Sequence, residues 1–405
     1  MFNKKNNIIT GLDIGSEEIK VLVATKEGED SEFEVLAYTS RPSVGVRRGV
    51  VVNPDELSEE INILIKEAEN ASGYQINSVF SNVNGSHVDV VPSHGMIAVS
   101  RADREISQED VNRVVQNAQT VSLPSNREIL DVFPKGFVVD GESGMKDVLG
   151  MKGTRLETDV LLLRVVSPYL QYLTKSVINA DLQINNLRLS AFAAAQSVLT
   201  DQQKELGVAL VDIGAETTGL VVFEEERLIH AAVFPIGSNH ITNDIAIALK
   251  CDIDLAEKIK REYGACTRVK SKKGRYKKKK IEISESLSFT EKMLIDVIEA
   301  RVSEIFDEVD KELKKISRQR LLPAGIVLTG GGSKISKIKE LAKRELKLPC
   351  KIGKPKGFIG LEKDSSLATV CGLVLDGEEN EGDRSFSDSG GILSKIKGFF
   401  RIFIP

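Results

Sequence analysis

Two stretches of the 405-residue chain repeat the same order of apolar and polar positions. The first, from Ile8, is IITGLDIGSEEIKVLVATKEGEDSEFEVLAYTS, and the second, from Val208, is VALVDIGAETTGLVVFEEERLIHAAVFPIG. Each contains an apolar run, an Asp-Ile-Gly turn with an acidic residue close behind it, a second apolar run, a polar break and a third apolar run. We therefore predict three antiparallel strands in each stretch, and two related domains around a cleft.

Helical spacing of apolar residues covers much of the remaining chain. It predicts a helix that starts near Asp55, with Asp55 as the N-cap. Further helices are predicted over residues 106–121, 167–181, 189–206, 252–264 and 288–317, and a strand, glycine turn and helix over 324–346. Between Gly85 and Thr158 the pattern changes to a helix, a bent strand pair and a return to a core strand, which predicts a small inserted α+β domain.

Composition limits the classes of function. The net charge of −4 argues against a dedicated nucleic-acid binder. Four widely spaced cysteines indicate reduced core thiols and a cytosolic protein. The N-terminus lacks the apolar core of a signal peptide, and no apolar run reaches ~18 residues, so we expect no membrane-spanning segment.

The two Asp-x-Gly turns carry the candidate chemistry. Glycine allows a phosphate to approach backbone N–H groups, because no Cβ blocks the way. A carboxylate beside each turn, Asp13 or Asp212, can organise Mg²⁺ through its water shell. One such turn alone is more often an ordinary hairpin. Two at matching places, with a third glycine turn in LTGGGSKI, predict a nucleotide site.

This layout resembles the superfamily of actin, hexokinase and the DnaK-type chaperones. The resemblance implies an α/β, actin-like fold of two lobes, with duplicated ribonuclease-H-like sheet domains around a nucleotide cleft. It implies ATP and Mg²⁺ as cofactors, with Mg²⁺ held through water by Asp13 and Asp212. The implied nucleotide contacts are Asp13, Gly15, Ser16, Lys20, Asp212, Gly214, Glu216, Thr217, Gly237, Ser238, Asn239, Glu257, Lys260, Gly330, Gly331, Gly332 and Lys334.

One position departs from the superfamily. In actin and the chaperones, a Glu or Gln near the connecting helix orients the attacking water. Matching Ala193 to Ala195 with the family's alanines puts Ser190 at that place. Serine is short and a poor base for this task, and orienting the nucleophile is a principal protein contribution to phosphoryl transfer. We therefore expect nucleotide binding with at most slow ATPase activity, and we assign no catalytic residue.

Within the superfamily, the chain is similar to the FtsA family of bacterial cell-division proteins. The features are the insert at 85–158, a second-lobe subdomain of matching size, and an acidic linker followed by an amphipathic tail. The acidic composition of the linker predicts that it is disordered. The implied boundaries are 1–84, 159–197 and 360–375 for the first lobe, 85–158 for the insert, 198–250 and 322–359 for the second-lobe core, 251–321 for its small subdomain, 376–391 for a disordered acidic linker, and 392–405 for a membrane-targeting helix.

The resemblance also implies the biology. An FtsA protein is expected to polymerise on the cytoplasmic face of the cell membrane at the division site, to tether the FtsZ ring there, and to recruit later division proteins. The C-terminal peptide of FtsZ would bind the small subdomain of the second lobe, where Arg301 and Lys292 are the candidate contacts.

The tail supports a membrane partner on its own pattern. Wound as a helix, residues 392–404 collect their apolar side chains on one side and carry three cations and no acidic side chain. This is typical of an interfacial helix on anionic lipid. The candidate membrane contacts are Ile392, Leu393, Lys395, Ile396, Lys397, Phe399, Phe400, Arg401 and Phe403. The alternative is a helix that docks on the protein's own core.

Other interpretations stay open at this stage. The basic run at 270–280 is a solvated loop, a nucleic-acid patch with little aromatic support beyond Tyr276, or a surface for an acidic partner or lipid. The four histidines show no metal-ligand spacing. A small-molecule kinase of the same superfamily, or a pilus-assembly ATP-binding protein, is the alternative to a membrane-tethering polymer. A kinase needs a second-substrate pocket and a base, and has no use for a lipid-binding tail.

Overall fold

Two α/β lobes enclose a cleft, and a smaller α/β unit is inserted into the first lobe. The computed structural model describes residues 8–28, 31–120, 124–267, 280–283 and 287–385, with side chains up to Glu378 in the last range. The basic run over 270–279 and the tail at 392–405 lie outside the described residues, so the predictions made for them stay predictions.

The strands are β1 (Ile8–Ile14), β2 (Glu18–Thr25), β3 (Phe33–Pro42), β4 (Val46–Arg47), β5 (Val50–Val51), β6 (Ser78–Val83), β7 (Asp89–Ala98), β8 (Arg127–Val139), β9 (Glu142–Met145), β10 (Arg155–Val166), β11 (Gln183–Leu189), β12 (Val208–Ile213), β13 (Thr218–Glu224), β14 (Arg227–Phe234), β15 (Lys280–Glu282), β16 (Ser288–Thr290), β17 (Gly325–Thr329), β18 (Cys350–Ile352) and β19 (Phe358–Ile359). The helices are α1 (Pro54–Ser72), α2 (Gln108–Gln119), α3 (Ser167–Ile178), α4 (Ser190–Val198), α5 (Asp201–Leu206), α6 (Ser238–Leu249), α7 (Ile253–Tyr263), α8 (Glu291–Lys315), α9 (Ile338–Leu346) and α10 (Ala368–Ser385).

The two lobes repeat one sheet topology, which confirms the duplication predicted from the sequence. The first-lobe sheet has the order β11-β6-β1-β2-β3-β19, and the second-lobe sheet has the order β14-β13-β12-β17-β18. In each sheet the predicted three-stranded unit is antiparallel, and its first strand pairs in parallel with a strand from later in the chain. The architecture is the actin-like α/β fold that we expected.

Several helix boundaries differ from the prediction. Residues 288–290, predicted to begin a helix, form strand β16 instead. The N-cap of α1 is Asn53, whose side chain accepts a hydrogen bond from the Glu56 N–H, so the prediction of Asp55 was wrong. Pro54 occupies the first helical position, which suits its fixed φ, and this leaves Asp55 inside the first turn. The predicted helix over 189–206 is two helices, because Thr200 leaves the helical conformation and caps α5.

Helices α4 and α10 cross at very short range in the first-lobe core. A Cβ added to Gly372 on α10 would lie 1.7 Å from the carbonyl oxygen of Ala193 on α4. A similar contact joins α4 to the second lobe, where a Cβ on Gly219 of β13 would lie 2.7 Å from the Ala191 Cβ. Small residues on α4 therefore allow one helix to pack against both lobes.

The insert forms a sheet of order β7-β10-β8-β9, with α2 packed on one face. The predicted end of the insert at 158 was wrong, because β10 pairs with β8 along its whole length, to Val166. This strand serves two cores. Successive side chains of a strand point to opposite faces, so Leu162 packs in the insert core and Leu163 packs in the first-lobe core. A domain boundary therefore does not fall within this strand. Phe358 and Ile359, assigned above to the second lobe, pair with β3 in the first.

The acidic segment after the first lobe is helical where the structure describes it. Helix α10 continues to Ser385, so the prediction of disorder from 376 was wrong for 376–385. Asp376 is buried and accepts hydrogen bonds from the Arg188 Nε at 2.6 Å and the Asn186 side-chain amide at 2.7 Å. Arg188 also pairs with Asp131 of the insert. Composition alone predicted disorder because it does not reveal a distant cationic partner.

Among the helices of the described ranges, none combines the length and the apolar character that crossing a bilayer would require. The four cysteines are free thiols, and Cys266, Cys350 and Cys371 are buried.

Candidate functional site

A cavity of about 590 Å³ lies between the lobes and collects most of the predicted site residues. The predicted residues that line it are Asp13, Gly15, Ser16, Lys20, Asp212, Gly214, Thr217, Ser238, Asn239, Glu257, Lys260, Gly330, Gly331, Gly332 and Lys334. They come from the two hairpin turns, the start of α6, the C-terminal half of α7 and the turn after β17. The fold thus brings segments more than 300 residues apart to one site.

The two hairpin turns have the same backbone geometry. The Gly15 N–H donates to the Glu18 carbonyl at 3.1 Å, and the Gly214 N–H donates to the Thr217 carbonyl at 2.9 Å. A Cβ at Gly15 would lie 2.7 Å from that Glu18 oxygen, so the tight turn requires glycine. The glycine N–H groups close the turns. The residues that follow them, Ser16 and Ala215, line the cavity.

Lys20 brings a buried positive charge to the first hairpin. It lies opposite Asp13 in the β1–β2 register, with its Nζ 3.7 Å from the Asp13 carboxylate and 3.6 Å from that of Glu18. Burial raises the pKa of Asp13, although Lys20 opposes the effect. Burial also disfavours the Lys20 ammonium, but attraction by Asp13 and Glu18 outweighs it and raises the pKa of Lys20. The raised pKa favours the positively charged form of Lys20 in the cleft.

Asp212 supplies the second carboxylate of the cleft. Burial, followed by repulsion from Asp13, raises the pKa of Asp212 to about 6. The third glycine turn closes over this carboxylate, because Gly330 has a φ of 81° and a Cβ there would lie 2.3 Å from the Asp212 Oδ1. Gly330 is thus required both by its left-handed conformation and by its approach to Asp212.

Asn82 organises the floor of the site, and the sequence analysis missed it. Its side-chain oxygen accepts from the Ile14 N–H at 2.7 Å, and its amide donates to Asp13 at 2.9 Å and to the Ser190 Oγ at 2.9 Å. Asn84, two residues later, donates to the Thr217 Oγ1 at 3.1 Å and so joins the lobes. The available signal was the position of both asparagines at the carboxyl end of an apolar strand that pairs in parallel with β1. Other lining residues that were not predicted are Glu17, Glu18, Ala215, Arg261, Glu262, Gly264, Ile335, Ser336, Ser366 and Thr369.

Ser190, predicted to replace the water-orienting residue, begins α4 and lines the cavity. It is buried, accepts the hydrogen bond from Asn82, and donates to the Val83 carbonyl at 3.3 Å. Its hydroxyl is thus engaged with the protein.

Glu257 and Lys260 line the cavity as a pair. Their side chains are 2.6 Å apart on successive turns of α7, and the Lys260 ammonium also donates to the Ser238 carbonyl at 3.2 Å. Burial lowers the pKa of Lys260, while Glu257 opposes the shift. The pair thus holds α7 against the start of α6 at the wall of the cavity.

Glu216 and Gly237 do not line the cavity. The Glu216 carboxylate accepts from the Arg48 N–H, and the neighbouring Gly49 N–H donates to the Ser16 Oγ at 2.9 Å. The β4–β5 turn thus contacts both hairpin turns. Gly237 caps α6 beneath the second turn, where a Cβ would lie 2.5 Å from the Ala215 carbonyl oxygen.

The two predicted partner contacts on α8 are not brought together. Arg301 forms a two-pronged ion pair with Asp244 of α6, at 2.6 and 3.0 Å. Lys292 is exposed and lies nine residues earlier, which is two and a half helical turns, so the two side chains project from opposite sides of α8.

The cleft fits a hydrated divalent cation better than a directly ligated one. Within the described ranges, no group of three or more His, Cys, Asp or Glu side chains is arranged to hold a metal. Asp13 and Asp212 nevertheless provide two carboxylates close enough to repel each other, as the raised pKa of Asp212 indicates. Two carboxylates in one cleft suit Mg²⁺, which retains several waters and takes its remaining ligands from phosphate.

Comparison with known proteins identifies relatives of this arrangement. The family described as Cell division protein FtsA matches residues 209–372, and the domain described as SHS2 domain inserted in FTSA matches residues 85–164. The cell division protein FtsA of Pseudomonas aeruginosa is 35% identical over 392 residues, which cover 96% of this chain and 93% of that protein.

Solved structures support the fold. The PilM-PilN type IV pilus biogenesis complex matches with a TM-score of 0.65 at 20% identity, covering 91% of this chain and 98% of that chain. MreB 5 of Spiroplasma citri bound to AMPPNP matches with a TM-score of 0.55 at 13% identity, covering 93% and 98%. At these identities the structural matches establish the actin-like fold alone, whereas the sequence match establishes a family.

Proposed function

The chain belongs to the FtsA family of cell division proteins, and on that premise we propose that it binds Mg·ATP between its lobes, polymerises on the membrane and tethers the FtsZ ring there. The observation that carries the proposal is the pair of matched hairpin turns that face one cavity, with Lys20, Asp13 and Asp212 between them. The MreB 5 relative of the same fold binds AMPPNP, which supports a nucleotide in this cleft.

We assign the phosphates to the hairpin turns. Ser16 and Ala215 line the cavity at the two turns, and Lys20 supplies a buried positive charge beside them. Mg²⁺ would be held through water by Asp13 and Asp212, and it would neutralise the phosphate charge on binding. The nucleoside would lie between α7 and the third glycine turn, where Glu257, Lys260 and Gly331 line the cavity. A Cβ at Gly331 would meet no atom within 4 Å, so this turn is open to a ligand.

The site supports binding better than turnover. Ser190 stands where relatives of the fold need a longer polar side chain to orient water, and its hydroxyl is already bonded to Asn82 and Val83. Positioning of the nucleophile accounts for much of the protein's part in phosphoryl transfer. ATP would therefore act chiefly as a structural ligand that favours one arrangement of the lobes.

The membrane contact is assigned to residues 392–405, which follow α10. One amphipathic helix binds anionic lipid reversibly, and many such helices on one polymer bind firmly through multivalency. Polymerisation would thus control membrane attachment at the division site. The FtsZ C-terminal peptide is assigned to the small subdomain built on α7 and α8, with Arg301 in its wall. Since Arg301 already pairs with Asp244, an acidic peptide would have to share or displace that pair.

Vesicle co-sedimentation of the full-length protein, with and without Mg·ATP, tests this function. The wild type is compared with a tail variant that carries Phe399→Glu and Phe400→Glu. A control variant carries Phe33→Leu, a conservative change in the first-lobe core. We expect the wild type and the control to pellet with anionic vesicles, more strongly with ATP, and the tail variant to stay in solution. Equal pelleting of all three proteins would contradict the assignment of the tail.

A further inference from the structure

One edge of the second lobe is strongly basic, although the whole chain has a net charge of −4. Residues 333–364 contain ten Lys and Arg side chains against four Asp and Glu side chains, a surplus of six positive charges. The segment runs from the third glycine turn through α9 and β18 and back to the first lobe. Neither the nucleotide site nor the proposed tail explains this excess of charge.

Few of these cations have a carboxylate partner among the described residues. Lys334 pairs with Asp364, Lys337 lies 3.9 Å from Glu340, and Arg344 pairs with Glu299 and Glu345. The remaining seven make no ion pair within the ranges that the structure describes, and we call them the lysine strip. They are Lys339, Lys343, Lys347, Lys351, Lys354, Lys356 and Lys363.

The lysine strip is continuous in space. Lys339, Lys343 and Lys347 are spaced four residues apart, so they form a row along one side of α9 and its C-terminus. Burial and then repulsion by Lys356 lower the pKa of Lys351, which indicates that these two ammonium groups are neighbours. All members except the half-buried Lys339 are exposed. Such close like charges destabilise the free protein slightly, and an anionic surface would relieve that repulsion.

Protection of a sheet edge explains only part of the strip. Lysine on an edge strand prevents pairing with another sheet, and Lys351 lies on β18, the edge strand of the second-lobe sheet. That strand has three residues, and the other six lysines lie outside it. Lys339, Lys354 and Lys363 instead line an open hollow of about 620 Å³, where five lysines in all stand against the carboxylates of Glu340, Glu362 and Asp364. The hollow is large enough to admit phosphate groups.

The strip is connected through packed side chains to α10, the helix that precedes the tail in the sequence. The Glu378 carboxylate on α10 is 2.6 Å from the Lys26 ammonium, which lies 5.4 Å from the centre of the Phe33 ring. That ring stacks on Phe358, with centroids 5.3 Å apart, and Phe358 follows Lys356 by two residues. A chain of contacts through Lys26, Phe33 and Phe358 thus connects the segment that carries Lys356 to α10.

We propose that the lysine strip is a second membrane contact, which lays the folded body of the protein on the anionic lipid surface to which its tail binds. This inference rests on the proposed membrane function of the tail. An ammonium group suits lipid phosphates because it acts as a point charge and needs no fixed hydrogen-bond geometry. Stable peripheral attachment commonly needs two signals, an apolar one and a basic one, and the strip supplies the second. It would also fix which side of a polymer faces the membrane.

The test uses full-length protein with Lys351→Glu, Lys354→Glu and Lys356→Glu. A control with Lys66→Glu, Lys250→Glu and Lys314→Glu makes the same change of charge at exposed lysines elsewhere. Binding is measured to phosphatidylcholine vesicles with and without phosphatidylglycerol, at low and high salt. We expect the strip variant to bind the phosphatidylglycerol vesicles at least about tenfold more weakly than the wild type and the control. High salt should reduce that difference.

The remaining outcomes separate the strip from the tail. If the strip variant binds like the wild type and the control while Phe399→Glu/Phe400→Glu abolishes binding, the strip proposal is wrong and the tail function stands. If the wild type binds no vesicle, both are wrong. If vesicle binding is unchanged but the strip variant alone loses binding to poly-glutamate, the surface takes an acidic polypeptide and the lipid proposal is overturned.

Discussion

Lys20 and Gly219 occupy the same position in the two repeated hairpins: each lies seven residues after the aspartate of its turn and opposite it in the strand register. Lys20 directs a charge toward Asp13, whereas Gly219 has no side chain because Ala191 of α4 packs there. The duplicated unit is therefore asymmetric. One copy provides the cation, and the other makes room for the helix between the lobes.

This asymmetry predicts that Lys20→Met weakens Mg·ATP binding by at least tenfold. The loss of one charge-assisted contact to a phosphate is worth about 1.5–3 kcal/mol. Isothermal titration calorimetry measures the change. Lys26→Met, on the far side of the first lobe beside Glu378, is the matched control and should leave the affinity unaltered. Wild-type affinity in the Lys20 variant would remove this residue from the phosphate site.

Asp212 makes the nucleotide-free protein sensitive to pH. Its pKa is raised to about 6 in the folded state, mainly by burial, from an ordinary 3.8, so its ionisation opposes folding. The resulting loss in the free energy of unfolding is absent below about pH 4, grows as the pH rises from there through 6, and is complete above 7. Asp212→Asn should therefore raise the free energy of unfolding of the apo protein at pH 7.5 by on the order of 1–3 kcal/mol.

Thermal and denaturant unfolding across pH 4 to 8 check this expectation, with about pH 4 as the internal control where the two proteins should converge. The variant should also lose the stabilisation that Mg·ATP gives the wild type, since the carboxylate is needed for the cation. A variant that is less stable than the wild type at every pH would contradict the origin we assign to the pKa shift.

Ser190→Ala tests the account of slow hydrolysis. The serine hydroxyl bonds to Asn82 and Val83 instead of orienting water, so its removal should change steady-state ATP hydrolysis by less than about threefold. Phosphate release from purified protein measures this. A loss of a hundredfold or more would show that Ser190 takes part in catalysis, and fast hydrolysis by the wild type would itself contradict the account.

The crossing of α4 and α10 predicts a severe structural defect for Gly372→Ala. The added Cβ would lie 1.7 Å from the Ala193 carbonyl oxygen, so the helices must separate. Overpacking of this kind costs typically 1–3 kcal/mol or more in the free energy of unfolding. Chemical denaturation without nucleotide compares it with Gly331→Ala, where an added Cβ meets no atom within 4 Å. Equal stability of the two variants would refute the close packing of these helices.

Local repetition in the sequence was enough to predict the duplicated three-stranded units and a nucleotide site between them, and the resemblance to a superfamily supplied the rest of the fold. The two hairpins, their aspartates and the third glycine turn could be predicted because each is encoded within about 35 residues. Asn82 could not, since its role depends on β6 pairing with β1 and on α4 bringing Ser190 to it. Its only signal was one polar residue at the end of an apolar strand.

The errors have the same physical origin. Asp376 belongs to an acidic segment by composition. It is nevertheless buried, because Arg188, far away in the chain, donates a hydrogen bond to its carboxylate. The end of the insert was wrongly predicted to lie within β10. Both faces of this strand are buried, one in each core, so its continuous apolar pattern does not show where one domain ends. Both errors concern contacts between residues far apart in the chain. The pattern of a single sequence does not reveal which distant residues will meet.

The central claim is that ATP acts as a structural ligand for assembly on the membrane. Its most direct test is the pelleting of full-length protein on phosphatidylglycerol-containing vesicles, with no nucleotide, with Mg·ATP and with Mg²⁺ and a non-hydrolysable ATP analogue. We predict equal assembly with both nucleotides and little without, since binding and not hydrolysis sets the arrangement of the lobes. Assembly that requires hydrolysable ATP, or that proceeds equally without nucleotide, would contradict the account.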